Sequence, residues 1–154
     1  MLKKRSTVLM VYPEFPPSFW SFKEAVELMN LKATMPPTGL ATVAAMLPQD
    51  NFAVLPIIDL NVEQLTQREL QSADVVMISA MIAQKDSLRA VIAEAKRLGK
   101  IVVVGGPYAT SYRDDVIAMG ADHLVLNEAE RTLAFFVEDF IPYASFARGW
   151  QPRL

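Results

Sequence analysis

Two short runs constrain this chain more than anything else in it. Val75–Ser79 reads VVMIS and Ile101–Val104 reads IVVV. Both are apolar up to their ends and largely β-branched. Such runs suit strands buried on both faces, as in a parallel sheet covered by helices. The first ends at Ser79-Ala80 and the second at Gly105-Gly106-Pro107, small residues that let backbone approach a ligand. In sheets of this kind ligands bind beyond the carboxyl ends of the strands, near the point where strand order reverses. Ser79 and Gly105-Gly106 therefore mark an expected binding edge.

The rest of the pattern alternates strand with helix. Thr7–Tyr12 (TVLMVY) reads as a first strand, ended by Pro13. Phe52–Ile58 (FAVLPII) reads as a second, and Pro56 within it argues for an edge position. Val75–Ser79, Ile101–Val104 and His123–Leu126 supply the third to fifth. Between them, Thr38 is expected to cap the helix GLATVAAML, and Val62–Ser72 follows the turn sequence Asp59-Leu60-Asn61. Asp86–Leu98 sets Leu88, Val91, Ile92 and Ala95 on one face and stops at Gly99, as Ala109–Met119 stops at Gly120. A last helix, about Glu128–Phe140, carries Ala129, Leu133, Phe136 and Phe140 on one stripe.

This alternation predicts an α/β three-layer sandwich with right-handed crossovers around a five-stranded parallel sheet. The expected strand order is 2-1-3-4-5, flavodoxin-like or Rossmann-like, with the proline-containing second strand at the edge. The α/β domain is expected over residues 1–140, with 141–154 as a tail or linker.

One stretch breaks the rhythm. Residues 13–37, PEFPPSFWSFKEAVELMNLKATMPP, are far longer than an ordinary strand–helix connection. They hold Phe15, Phe19, Trp20 and Phe22, with a short helix expected around Phe22–Met29. Leaving from the same carboxyl edge as Ser79, the segment reads either as a binding loop or as an aromatic plug for a local core or interface.

Composition removes several function classes. The chain has 154 residues, 52% of them hydrophobic, and a formal charge of −2. That is one globular domain without a nucleic-acid footprint, and Lys3-Lys4-Arg5 reads as a solubilising terminal patch. No apolar run reaches membrane-spanning length, and the basic start leads into a strand, so neither a signal peptide nor a transmembrane helix is expected. Cysteine is absent, which excludes disulfides and thiolate metal sites and fits a cytoplasmic setting. A single histidine, His123, excludes a His-rich metal site, and no metal ligand or catalytic residue is assigned.

The usual tenants of such folds also fail on chemistry. A phosphorylated receiver domain needs acidic residues where Tyr12-Pro13 and Ser79-Ala80 stand. A flavodoxin cradles phosphate on backbone amides, and PEFPPSF has prolines there instead. No GxGxxG follows a strand, and VVVGGPYAT has the wrong glycine spacing. An enzyme using Glu128 and Glu130 is the weaker reading of those carboxylates, which favour the start of the last helix through its dipole. What remains is a large flat cofactor whose tail enters a cleft between the third and fourth strands, with Ser79 offering a hydroxyl. Gly105-Gly106 read alone is equally a tight strand–helix turn.

The series FWS, PPTGLATVAAMLP, IIDLN, ADVVMISAM, GKIVVVGGPY and LVLNEAE resembles a known domain. It is similar, over roughly residues 7–140, to the N-terminal cobalamin-binding domain of cobalamin-dependent radical S-adenosylmethionine enzymes, C-methylases among them. The resemblance implies a fold that holds cobalamin (vitamin B12) with its nucleotide tail extended into the domain. It implies that Ser79, Ala80 and Met81 sit by the dimethylbenzimidazole and that Gly105, Gly106 and Pro107 line the tail groove. Asn127 and Glu128 would close the far side, and Tyr12 and Pro13 complete the expected cofactor-binding set.

Two departures shape the expected function. Cobalamin domains of the methionine synthase type carry Asp-x-His-x-x-Gly after the first strand, and that histidine ligates cobalt. Here PEFPPSFW stands in its place, so a base-off cobalamin without a histidine ligand is expected. Radical chemistry needs a CxxxCxxC motif for a 4Fe-4S cluster, and this chain has no cysteine. The chain by itself is thus expected to be a cobalamin-binding module, not a catalyst. Its partner would be a radical S-adenosylmethionine methyltransferase domain in cis or in trans. The alternative is a scaffold of the same shape that binds no corrin and serves as a docking domain.

Overall fold

A computed structural model describes residues 5–17 and 36–145, with side chains through residue 141. The expected helix around Phe22–Met29, the aromatics Phe19, Trp20 and Phe22, and most of the tail lie outside the described residues. The elements are β1 (Ser6–Tyr12), α1 (Thr38–Met46), β2 (Phe52–Val54), β3 (Ile58–Asp59), α2 (Gln67–Ser72) and β4 (Val75–Ser79). There follow α3 (Lys85–Arg97), β5 (Ile101–Gly105), α4 (Pro107–Ser111), α5 (Arg113–Ala118), β6 (His123–Val125) and α6 (Ala129–Ser145). A 3-10 turn, Ile82–Gln84, leads into α3.

Every strand pair is parallel, in the order β2-β1-β4-β5-β6, and β3 also pairs with β1. The expected order stands, with the second strand divided in two. Val8 pairs with Val54 and Val11 with Ile58, so the edge strand carries one more residue than β1 between those pairs. Pro56 lies in that interval and has no N–H for a ladder.

Side chains alternate across the sheet into two cores. Val8, Met10, Val75, Met77 and Val103 pack with Leu40 of α1 and with Leu133, Phe136 and Phe140 of α6. Leu9, Val11, Val76, Ile78, Val102 and Val104 pack with helices α2 to α5 through Leu70, Leu88, Ile92, Tyr108 and Val116. Strands buried on both faces are what the unbroken apolar runs require.

The helices depart from the sequence reading in places. α2 starts at Gln67, not Val62, because Thr66 and Glu69 form a capping box. Thr38 is the first residue of α1, and Pro37, which makes no side-chain cap bond, precedes it. The expected helix Ala109–Met119 is two helices parted at Tyr112, whose φ of −131° and ψ of 52° are not helical. Gly99 and Gly120 stop their helices at φ 67° and 108° as read, and α6 runs on to Ser145.

Candidate functional site

Strands β1 and β4 are neighbours that separate at one point. Their pairing ends at Val11 with Ile78. The next residue of β1, Tyr12, pairs outward with Asp59, and the next of β4, Ser79, pairs outward with Gly105. A crevice therefore opens between Tyr12 and Ser79. It lies at the switch point, since the chain leaves β1 towards β2 on one side and builds β4, β5 and β6 on the other.

The crevice is a cavity of about 330 Å³. Its walls are Tyr12 from β1, Ser79, Ala80 and Met81 from the β4 exit, Pro107, and Pro36 to Leu40 at the start of α1. None of these side chains is charged. Among the described residues the Ser79 hydroxyl has no hydrogen-bond partner, and the hydroxyl belongs to a residue only partly covered. Among the described residues a β-carbon at Gly39 would meet nothing within 4 Å. Among the described residues the site is an uncharged recess, with Tyr12 and Ser79 on opposite walls.

Burial pushes the Tyr12 phenol up from its ordinary value, and the Asp59 carboxylate adds to this while the Gln84 amide opposes it. Tyr12 thus stays protonated and able to donate at neutral pH. Asp59 is buried but satisfied, accepting from the backbone N–H of Asn61 at 2.9 Å and from its side-chain amide at 2.7 Å.

The two glycines at the β5 exit hold backbone together instead of lining open space. Gly106 has φ 90°, and a β-carbon there would stand 2.6 Å from Ser79 Oγ and 3.0 Å from the Ala80 backbone. One at Gly105 would stand 3.1 Å from the Val125 carbonyl oxygen. Ala80 N–H donates to Gly105 O, and Tyr108 N–H donates to Ala80 O, closing the β4–β5 seam. The cavity accordingly sits between β1 and β4, one strand pair from the cleft read from the glycines.

The structure brings Tyr12, Ser79, Ala80, Met81 and Pro107 together in the cavity wall. Pro13 lies just above, its carbonyl held by Gln84 and Asn61. Asn127 and Glu128 stand apart at the β6 exit. Asn127, at φ 59°, donates its N–H to Thr110 Oγ1, which in turn donates to Gly106 O. Nearby, Lys85 lies 2.6 Å from Asp115, which also accepts from the Tyr108 hydroxyl. That bond to Asp115 holds the Lys85 ammonium above its ordinary range.

Gly39, Asn61 and Gln84 were not singled out for this edge by the sequence. A glycine at the second position of a helix has no helix-forming merit, and that was the one available signal for Gly39. His123 lies in β6, its ring edge-on to Phe136 and Phe140 of α6. Among the described residues no group of three or more His, Asp or Glu is placed to hold a metal, and no helix is long and apolar enough to cross a membrane.

The model of the B12 binding domain family matches residues 26–137. An uncharacterized methyltransferase of Synechocystis sp. is 49% identical over 130 residues, which are 84% of this chain and 24% of that protein. The hopanoid C-2 methylase of Rhodopseudomonas palustris is 32% identical over 108 residues, 70% of this chain and 20% of that protein. The chain thus spans a quarter or less of the curated relatives it matches. Among solved structures, a putative pilus assembly-related protein of Burkholderia pseudomallei is similar in fold, at TM-score 0.50 and 14% identity over 96% of this chain and 94% of that one.

Proposed function

The chain belongs to the B12-binding domain family, and from that premise we propose that it holds cobalamin, base-off and without a histidine ligand, for a methyltransferase. The observation that carries this reading is the cavity between Tyr12 and Ser79. Its described lining is uncharged, it lies at the switch point, and it offers a hydroxyl with no partner among the described residues. A neutral heterocycle with an acceptor nitrogen suits such a recess, since it brings no charge to desolvate. A volume of about 330 Å³ has room for a nucleotide base and not for a corrin. The macrocycle would stand outside, at the edge where Met81 and Ile82 expose apolar surface.

In this reading Ser79 donates to or accepts from the base, while Ala80, Met81 and Pro107 flank it. Tyr12 forms the opposite wall. Gly105 and Gly106 let the β4 and β5 exits pack closely enough to place Ser79, and Asn127 and Glu128 close the far end of the edge. Cobalamin, when bound, supplies a cobalt centre that carries a methyl group. This chain's residues bind and orient it and shield its tail from water. The 4Fe-4S cluster and S-adenosylmethionine belong to a radical enzyme domain in cis or in trans, a reading supported by the methylase relatives and their greater length.

The test is to mix the protein with hydroxocobalamin, desalt it and record the visible spectrum. A corrin spectrum eluting with protein in a one-to-one ratio supports the reading. A colourless protein would sink it in favour of a docking scaffold.

A further inference from the structure

Gln84 is 1% exposed and sits in the 3-10 turn between β4 and α3. Both ends of its amide are used. Its Nε2 donates to the Pro13 carbonyl oxygen at 2.5 Å, and its Oε1 accepts from the Met81 backbone N–H at 2.8 Å. One side chain thus joins the β1 exit to the β4 exit, over 71 residues of sequence.

The residues after Pro13 are fastened in the same manner. The Asn61 amide also donates to Pro13 O, at 3.3 Å, and its Oδ1 accepts from Phe15 N–H at 2.9 Å. Glu14 N–H donates to Ser87 Oγ at 2.9 Å. Pro13, Pro16 and Pro17 have no N–H, so this exit cannot build a ladder or helix of its own. Side chains from β4–α3 and from the turn after β3 hold it instead. A buried amide is tolerated only when its donor and acceptor are both satisfied, and here one is spent on Met81 of the cavity wall and the other on Pro13, the residue that follows Tyr12 of the opposite wall.

We propose that Gln84 is the positioning residue of the cofactor cavity, a clamp that fixes the β1 exit against the β4 exit and so sets the gap between Tyr12 and Ser79. The clamp rests on these contacts alone. Its consequence for cobalamin rests on the function proposed above.

The experiment uses the full chain and Gln84→Met, which keeps the side-chain length and removes both bonds. Amide hydrogen exchange is read by NMR, and hydroxocobalamin affinity by titration. Exchange at Met81, Glu14 and Phe15 is expected to rise about tenfold or more, since each loses its bond or its anchorage. The Kd for hydroxocobalamin is expected to rise about tenfold with it. Val91→Ala, a core truncation on α3 that touches none of these bonds, should leave all four readings within about twofold. Should Gln84→Met not fold, Gln84→Glu at alkaline pH keeps the acceptor for Met81 and lacks the hydrogen for Pro13, giving the same readout at Glu14 and Phe15.

Faster exchange at Met81 alone, with Glu14, Phe15 and the Kd unchanged, would overturn the proposal. So would Val91→Ala reproducing the whole pattern. If the wild-type chain binds no corrin, the cofactor reading falls, and exchange at Glu14 and Phe15 still decides whether the clamp exists.

Discussion

Gly106 packs so tightly on Ser79 that a β-carbon on the glycine would stand 2.6 Å from the serine hydroxyl oxygen. The same β-carbon would press the Ala80 backbone at 3.0 Å, and φ is 90°. Gly106→Ala should therefore cost about 1–3 kcal/mol, from backbone strain and a displaced β4 exit. Urea unfolding measures this. In a Ser79→Ala background the cost should shrink but persist, because the Ala80 contacts and the positive φ remain. Equal cost in both backgrounds would mean that the serine contact is not felt.

Ser79→Ala alone separates binding from folding. The hydroxyl has no partner to lose among the described residues, so stability should stay within about 0.5 kcal/mol. Hydroxocobalamin affinity should fall roughly three- to tenfold, the weight of one neutral hydrogen bond. An unchanged Kd would remove the serine from the site.

Gly39→Leu makes the complementary test. Among the described residues nothing lies within 4 Å of a β-carbon at Gly39, and leucine is the better helix former, so stability should hold or rise by up to about 1 kcal/mol. The leucine would project from the cavity wall and block the tail. Loss of corrin binding with an unchanged or higher melting temperature is the expected pair of results.

His123 bears on the cobalt ligand. Its ring stands edge-on to Phe136 and Phe140, in a strand two places from β4. The bound Co(II) form should show no nitrogen superhyperfine splitting in its EPR spectrum, and His123→Ala should leave that spectrum unchanged. A three-line nitrogen pattern lost in the variant would contradict a lower face without a histidine ligand.

The same histidine predicts a pH dependence of stability. Burial lowers its affinity for a proton below the ordinary value of 6.5, although Asp122 and Asp139 pull the other way. Well above pH 6.5 both folded and unfolded chains hold it neutral, and its contribution is constant. As pH falls below 6.5 the unfolded chain takes up the proton first, so stability declines until the folded pKa is passed. His123→Phe should flatten that part of a urea-midpoint profile between pH 7 and 5.

The sheet was legible because burial on both faces writes itself into β-branched runs, and Pro56 betrayed the edge. The start at Val62 was misread because Asp59-Leu60-Asn61 looks like a turn and cap, whereas the Thr66–Glu69 box marks the true start. Tyr112 breaks a continuous helical pattern and is itself 52% exposed, so no apolar period records the break. The glycines after β5 were legible as an unusual backbone, but not which of two seams they served. Gln84 was not legible at all, because what buries a glutamine is a carbonyl 71 residues away, and no local pattern carries that distance.

The extra residue at Pro56 has a consequence beyond strand order. An unpaired strand is a template on which a neighbouring chain can lay another. Here the outer strand offers three residues, a kink with a missing donor, and then only two more. A second copy finds no continuous row of donors and acceptors to extend, so the sheet ends where it ends.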